Sequence, residues 1–250
     1  MTDLSLWILP AFFTVALVYS SVGFAGGSSY LLVLTLAGIA PAQAKPIALF
    51  CNLIVSSCAL WHFSRGGHLE IKKILPFILA SVPTAYLGAK APLPKEIFYA
   101  LLGFALLVAS MRLLISGKTV DKVRELSPKS FWVTGLSIGG GLGFISGFLG
   151  IGGGIFLHPF LLLSRLADSR KAAAAASFFI LVNSLSGFFG QGSNIRVLAH
   201  PSFIFLAVTV FIGGQIGSML GAYRLPRLGL QRVVATLILY IAFQMIGKAF

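Results

Sequence analysis

The feature that most limits how this chain can fold is Gly147-Phe148-Leu149-Gly150-Ile151-Gly152-Gly153-Gly154-Ile155-Phe156, where five glycines cut an apolar run that would otherwise make one long helix. A fainter copy stands upstream at Val22-Gly23-Phe24-Ala25-Gly26-Gly27-Ser28-Ser29. Glycine loses the most backbone entropy in a helix and leaves the peptide groups uncovered, so such clusters are costly unless the exposed backbone has a use. Both stretches are read as broken helices.

The surroundings of these breaks are those of a membrane protein. Hydrophobic residues make up 57% of the chain and charged residues 10%, with a mean hydropathy of +0.95, more than 250 residues could hide in one aqueous core. The formal charge of +13 suits loops that meet anionic lipid headgroups. Nucleic acid is not expected as a partner, because no window forms a basic, exposed module. Residues 4 to 20 are preceded by Asp3 rather than by basic residues, so cleavage as a signal peptide is not expected. Cys51 and Cys58 lie on one helical face two turns apart, too far for an intrahelical disulfide, and are expected as small buried residues.

Six stretches have the length and apolarity to cross a bilayer: 46–63, 74–90, 97–115, 172–191, 203–222 and 230–247. Two more, 4–38 and 131–164, are too long for one span and marginal for two, and each carries a glycine cluster near its middle. Read as hairpins that leave and return to one side, they place fourteen of the nineteen Lys and Arg residues inside: Arg65, Lys72, Lys73, Arg112, Lys118, Lys122, Arg124, Lys129, Arg165, Arg170, Lys171, Arg224, Arg227 and Arg232. Positive residues gather in cytoplasmic loops, so the hairpin reading is preferred to single crossings. Both termini then lie outside, and the second half starts on the opposite side from the first.

The expected fold is an all-α integral membrane protein of two inverted repeats, each a glycine-broken helical hairpin plus three transmembrane helices. The first repeat covers 1–116, a cytoplasmic linker 117–130, and the second repeat 131–250. An offset of 127 lays Gly23, Gly26 and Gly27 on Gly150, Gly153 and Gly154, and the order of elements agrees. Inverted repeats with a broken helix in each half are the pattern of secondary transporters. Irregular backbone at membrane depth is tolerated where protein buries it or it lines a wet cavity.

A helix that starts at a break presents free N–H groups and about half a positive charge, which attracts anions. The candidate substrate-binding residues are therefore Gly23, Gly26, Gly27, Ser28 and Ser29 at the first break and Gly150, Gly152, Gly153 and Gly154 at the second. Asn52, Asn183 and Ser186 join them from the adjoining spans, with Ser20, Ser21, Ser56, Ser57, Ser146, Ser177, Ser184, Gln191 and Gln215 as further polar residues. An amide in an apolar helix needs a partner in the bundle or in the ligand, although packing between helices is the ordinary use of such residues. No Asp or Glu falls in mid-span, which argues against a cation substrate. Lys45, Lys90 and Lys171 border the spans; snorkelling to headgroups is their expected role, while Lys45 and Lys171 each follow a hairpin where they would draw anions to its mouth. His158, just past the second break, is the candidate for proton coupling, with a structural role as the alternative.

No metal or cofactor is expected, since no two histidines stand at metal-ligand spacing with a cysteine or carboxylate. The chain has no nucleophile elbow, no nucleotide-binding lysine loop and no HExxH, so an enzyme is not expected. The expected partners are a small anion and membrane lipids, with H+ as a candidate coupling ion; a homodimer is compatible with the chain.

With these motifs placed, the chain resembles the sulfite exporter family TauE/SafE. The resemblance rests on Gly-Phe-Leu-Gly-Ile-Gly-Gly-Gly leading into Phe156-Leu157-His158-Pro159-Phe160-Leu161-Leu162, supported by the Gly23 to Gly27 copy, by Arg65 and Gly67, and by Asn183-Ser184-Leu185-Ser186-Gly187. The first copy departs from the family's usual pattern, with Ala25 where glycine is common and Ser28-Ser29 where apolar residues are frequent. The resemblance implies a multi-pass carrier of the bacterial inner membrane that moves a small sulfur-containing anion such as sulfite or sulfoacetate, with export as the expected direction; the termini, outside by the distribution of positive residues, would then be periplasmic. A passive anion channel and a non-transporting membrane scaffold are the alternatives.

Overall fold

A computed structural model describes residues 7–115, 127–224 and 227–249. Most of the linker 117–130, the first residues of the hairpin 4–38 and the side chains of Arg227 and Leu228 lie outside that description. The described chain is helical: α1 (Ile8–Ser20), α2 (Gly27–Leu36), α3 (Pro41–Arg65), α4 (Ile71–Lys90), α5 (Lys95–Ile115), α6 (Pro128–Leu149), α7 (Gly154–Leu163), α8 (Ser169–Gly190), a 3-10 segment Gly192–Ala199, α9 (Ser202–Tyr223) and α10 (Arg227–Gly247).

Six of these helices, α3, α5, α6, α8, α9 and α10, are long and apolar enough to cross a membrane, so the protein is embedded in one by several passes. The set differs from the sequence expectation in one member. The stretch 74–90 falls in α4, whose Lys72, Lys73 and Lys90 and two internal prolines, Pro76 and Pro83, dilute its apolar character. In its place stands α6, 22 residues long, which makes the arms of 131–164 unequal beside the 10 residues of α7. Large apolar side chains such as Phe104, Ile204, Phe205 and Phe243 point outward, an arrangement that suits lipid.

Glycine has a second use here, distinct from the breaks. Gly135, Gly139, Gly143 and Gly147 recur every fourth residue and so share one face of α6. A Cβ on them would strike, in order, Pro76, Phe77, Ser81 and Ala85 of α4. Gly147 therefore belongs to this packing seam, and the helix continues through Leu149 before the break begins at Gly150. On α9 the same spacing sets Gly213 and Gly217 against the carbonyls of Phe13 and Leu17 on α1, and Gly221 against that of Ser21, the residue that caps it. Without a hydrophobic drive between helices in lipid, such close backbone approach is what holds a bundle together.

The packing partners exchange when the two halves are swapped. The pair α6 with α4 answers α1 with α9, α8 with α4 answers α3 with α9, and α7 with α8 answers α2 with α3. The pairs α3 with α8 and α5 with α10 map onto themselves. Helices α3 and α8 thus form the shared centre, and the short helices α2 and α7 lie against them.

Candidate anion site between the glycine breaks

The helix ends at the breaks are set by backbone geometry. Helix α6 closes with the amides of Gly150 and Ile151 both donating to the Ser146 carbonyl, at 2.8 and 3.1 Å. Gly150, Gly152 and Gly153 then take φ of 75°, 79° and 75°, a left-handed path that would strain any residue with a Cβ. Helix α7 starts immediately afterwards, and Gly26, at φ 91°, performs the same turn before α2. Turned this way, the amides of Gly27, Ser28 and Ser29 and those of Gly152 to Ile155 have no acceptor among the described residues.

The two starts meet on Asn52. A Cβ on Gly27 would lie 2.5 Å from Asn52 Nδ2, and one on Gly152 3.1 Å from the same atom. Asn52 is fully buried, and both its Nδ2 and its Oδ1 lack a hydrogen-bond partner. It stands eleven residues into the 25-residue α3, about 17 Å along a helix of about 37 Å, close to the middle of the span. An unpaired buried amide costs about 1–3 kcal/mol. The cost is compounded nearby, since the hydroxyls of Ser146 and Ser184 are also buried and unpartnered. Ser184 Oγ stands 2.8 Å from the Cβ position of Gly152, and Ser146 Oγ 3.1 Å from that of Gly153.

The sequence-derived residues do not all converge there. Gly27, Asn52, Gly152 and Gly153 do, whereas Gly154 packs on Ile180 and the Ala176 carbonyl; Ile180 and Phe179 close the back of the second break. Asn183 is buried one residue before Ser184; its Nδ2 donates to the Phe179 carbonyl at 2.8 Å, while its Oδ1 is unpartnered. Gly23 presses on Ala173 of α8, where Ser177 Oγ donates to the Gly23 carbonyl at 3.1 Å. Gly26 faces Val15, Tyr19 and Tyr30. Ser29 donates to the Tyr19 hydroxyl at 2.8 Å and Ser28 lies beside the same phenol, so both buried serines turn toward α1. Gly150 faces Lys45. Ser186 donates to the Val82 carbonyl of α4 at 2.5 Å, beside an apolar groove of about 690 Å³ between α4 and α8. Ile180 and Phe179 carried no sequence signal, since their only distinction is to face glycines remote in the chain.

His158 is buried, and its ring meets Phe24 edge-on at 5.2 Å, so α7 touches the first break through this residue. The lysines have separate fates. Lys171 pairs with Glu70, which Lys73 also reaches at 2.6 Å. These hydrogen bonds, Lys171's foremost, hold the Glu70 carboxyl below the ordinary carboxylate range. Lys90 lies over the Tyr86 ring at 4.3 Å. Lys45 turns inward, its Nζ 5.0 Å from the Phe98 ring centre and 5.9 Å from that of Phe148. Cys51 and Cys58 are buried free thiols. Among the described residues no group of three or more histidine, cysteine, aspartate or glutamate side chains is placed to hold a metal ion.

Comparison with known proteins gives a consistent picture. The chain is 31% identical over 231 residues to the "probable membrane transporter protein y4hK" of Sinorhizobium fredii, covering 92% of this chain and 93% of that protein. It is 26% identical over 226 residues to the "probable membrane transporter protein ORF9" of a Sinorhizobium species, covering 87% and 85%. A third relative, the "probable membrane transporter protein YunE" of Bacillus subtilis, is 23% identical over 171 residues, covering 62% and 61%. No solved structure matches the chain. The sequence model of the family described as "Sulfite exporter TauE/SafE" matches residues 8–245, both glycine breaks and every helix that packs on them included, and the chain belongs to that family.

Proposed function

We propose that the protein is a secondary transporter that carries a small sulfur-containing anion, sulfite or an organosulfonate such as sulfoacetate, across the bacterial inner membrane by alternating access, in the direction of export. The observation that carries the reading is Asn52: a fully buried amide with both polar atoms unpartnered, between the starts of two short helices near mid-membrane. Sulfite and sulfonate oxygens accept hydrogen bonds. The Asn52 Nδ2, the Ser146 and Ser184 hydroxyls and the uncommitted amides of Gly27, Ser28 and Gly152 to Gly154 would donate them. Backbone donors fixed by two helix starts need no carboxylate and select for negative charge. The family and the relatives named as membrane transporters support the carrier class.

The exchange of packing partners between the halves supports an inverted pair of repeats with α3 and α8 on the axis. Rocking of one half against the other would expose the Asn52 region to each side in turn. Both termini would then face the periplasm. His158, in contact with the first break through Phe24, is the group through which proton coupling would act. Purified protein in liposomes should take up labelled sulfite or sulfoacetate with saturation, and Asn52→Ala should abolish uptake while the protein stays folded. Large single-channel currents would favour the passive pore. Failure of these anions both to move and to raise the melting temperature would sink the anion reading, because a ligand of the native state must stabilise it.

A further inference from the structure

Lys45 is the only lysine, arginine or carboxylate among the described residues that is buried. No ion pair or hydrogen bond reaches it from those residues; its contacts are the faces of Phe98 and Phe148. Taking an ammonium out of water is costly unless it is paired, and aromatic faces return only part of that cost. A chain that needed only volume at this point would hold it better with methionine or leucine. The position is informative as well. Lys45 precedes Asn52 by seven residues on α3, so the two share a face, about 10.5 Å apart along the axis. Gly150 packs on the Lys45 stem, its Cβ position 3.1 Å from Lys45 Cγ, while Gly152, two residues further on, packs on the Asn52 amide. The second break therefore runs alongside α3 from the cation to the amide, and Phe148 leads into it.

We propose that Lys45 is a charged station on the anion's path, placed between one membrane face and the Asn52 site, and that it sets the preference for doubly over singly charged anions; this rests on the anion-transport reading above. The ammonium attracts by charge alone, so its contribution grows with the charge of the ligand. The neutral donors around Asn52 discriminate less on that ground. Glycine at position 150 lets the second break pack directly on the lysine stem, so cation and break are held together.

The test uses sulfoacetate, a dianion at neutral pH, and methanesulfonate, a monoanion, with wild type and the Lys45→Gln, Lys45→Met and Lys45→Arg variants. Melting temperature in detergent reads binding, and uptake into liposomes reads transport. Lys45→Gln should raise the sulfoacetate KM about tenfold or more, raise that of methanesulfonate less, and lose most of the sulfoacetate-induced shift; Lys45→Arg should recover both. Ligand-free Lys45→Met should melt at or above wild type, and it stands in for Lys45→Gln if the latter folds poorly. Gln and Met variants with wild-type KM and wild-type shifts would overturn the role of Lys45 and leave the transport reading intact. A wild type that neither binds nor moves either anion would overturn both.

Discussion

Replacing Gly27 by alanine separates the stability of the broken helix from the geometry of the proposed anion site. Gly27 is the first residue of α2 and lies outside the positive-φ region, so alanine fits its backbone and should favour the helix by up to about 1 kcal/mol. The new methyl would stand 2.5 Å from Asn52 Nδ2, 3.0 Å from Asn52 Oδ1 and 3.1 Å from the Ile151 carbonyl. Ordinary contact needs about 3.5 Å or more, so the amide must move by about 1 Å, and Gly152 stands close on the same Nδ2. Overpacking of this kind costs about 1–3 kcal/mol. Set against the helix gain, the net destabilisation is about 0–2 kcal/mol, a fall in Tm of no more than about 8 °C for a chain of this size. Binding suffers more. A donor moved by about 1 Å from a 2.9 Å hydrogen bond no longer makes one, and a bond to a charged ligand contributes about 1.5–3 kcal/mol. KM for sulfite or sulfoacetate should therefore rise about 10- to 100-fold, read by uptake into liposomes with Tm followed in parallel. In an Asn52→Ala background the clash with the amide is gone and only the 3.1 Å approach to the Ile151 carbonyl remains, so the destabilisation from adding Gly27→Ala should shrink or vanish, a coupling that a double-mutant cycle measures. Unchanged KM in Gly27→Ala, or no stability coupling to Asn52, would refute the placement of Asn52 between the two breaks.

Asn52→Ala alone removes two unpartnered buried atoms, so thermal unfolding should show stability held or raised by up to about 2 kcal/mol while transport is lost; a clear loss of stability would make the amide mere helix glue. Gly217→Val should destabilise by about 3 kcal/mol, because its side chain meets the Leu17 carbonyl rather than a movable group, whereas Gly141→Leu, with open space around it, should stay within about 0.5 kcal/mol of wild type in the same melting assay. Glu70 has a folded-state pKa below its unfolded value, so its contribution is present above the unfolded pKa and lost as pH falls through the folded one. The Tm gap between wild type and Glu70→Gln should accordingly be open at neutral pH and close in acid below the ordinary carboxylate range; because the pair is partly exposed, added salt should narrow it. A gap that persists unchanged at low pH would show that the charge of Glu70 is not what matters.

Which parts of this molecule could be read from residue order follows from how each signal is written. A helix break is local: glycines at Gly150, Gly152 and Gly153 are the same glycines whether one sees sequence or backbone, and so the second break can be read directly from residue order. Asn52 was legible for the opposite reason, since one amide in an apolar helix violates the local pattern and violations tend to mark function. Contacts between remote segments are not written locally. Ile180 looks like any lipid-facing or core isoleucine until Gly152 and Gly154 are found against it, and Lys45 looks like a headgroup anchor until its ammonium is found near the Phe98 and Phe148 rings. The four-residue spacing from Gly135 to Gly147 was visible, but a glycine can open a helix or let another helix approach it, and composition does not distinguish the two. The i, i+4 period does: glycines that keep one face clear belong to packing, as Gly147 does on Ala85, whereas consecutive glycines that forfeit every face, as at Gly152 to Gly154, have given up the helix itself.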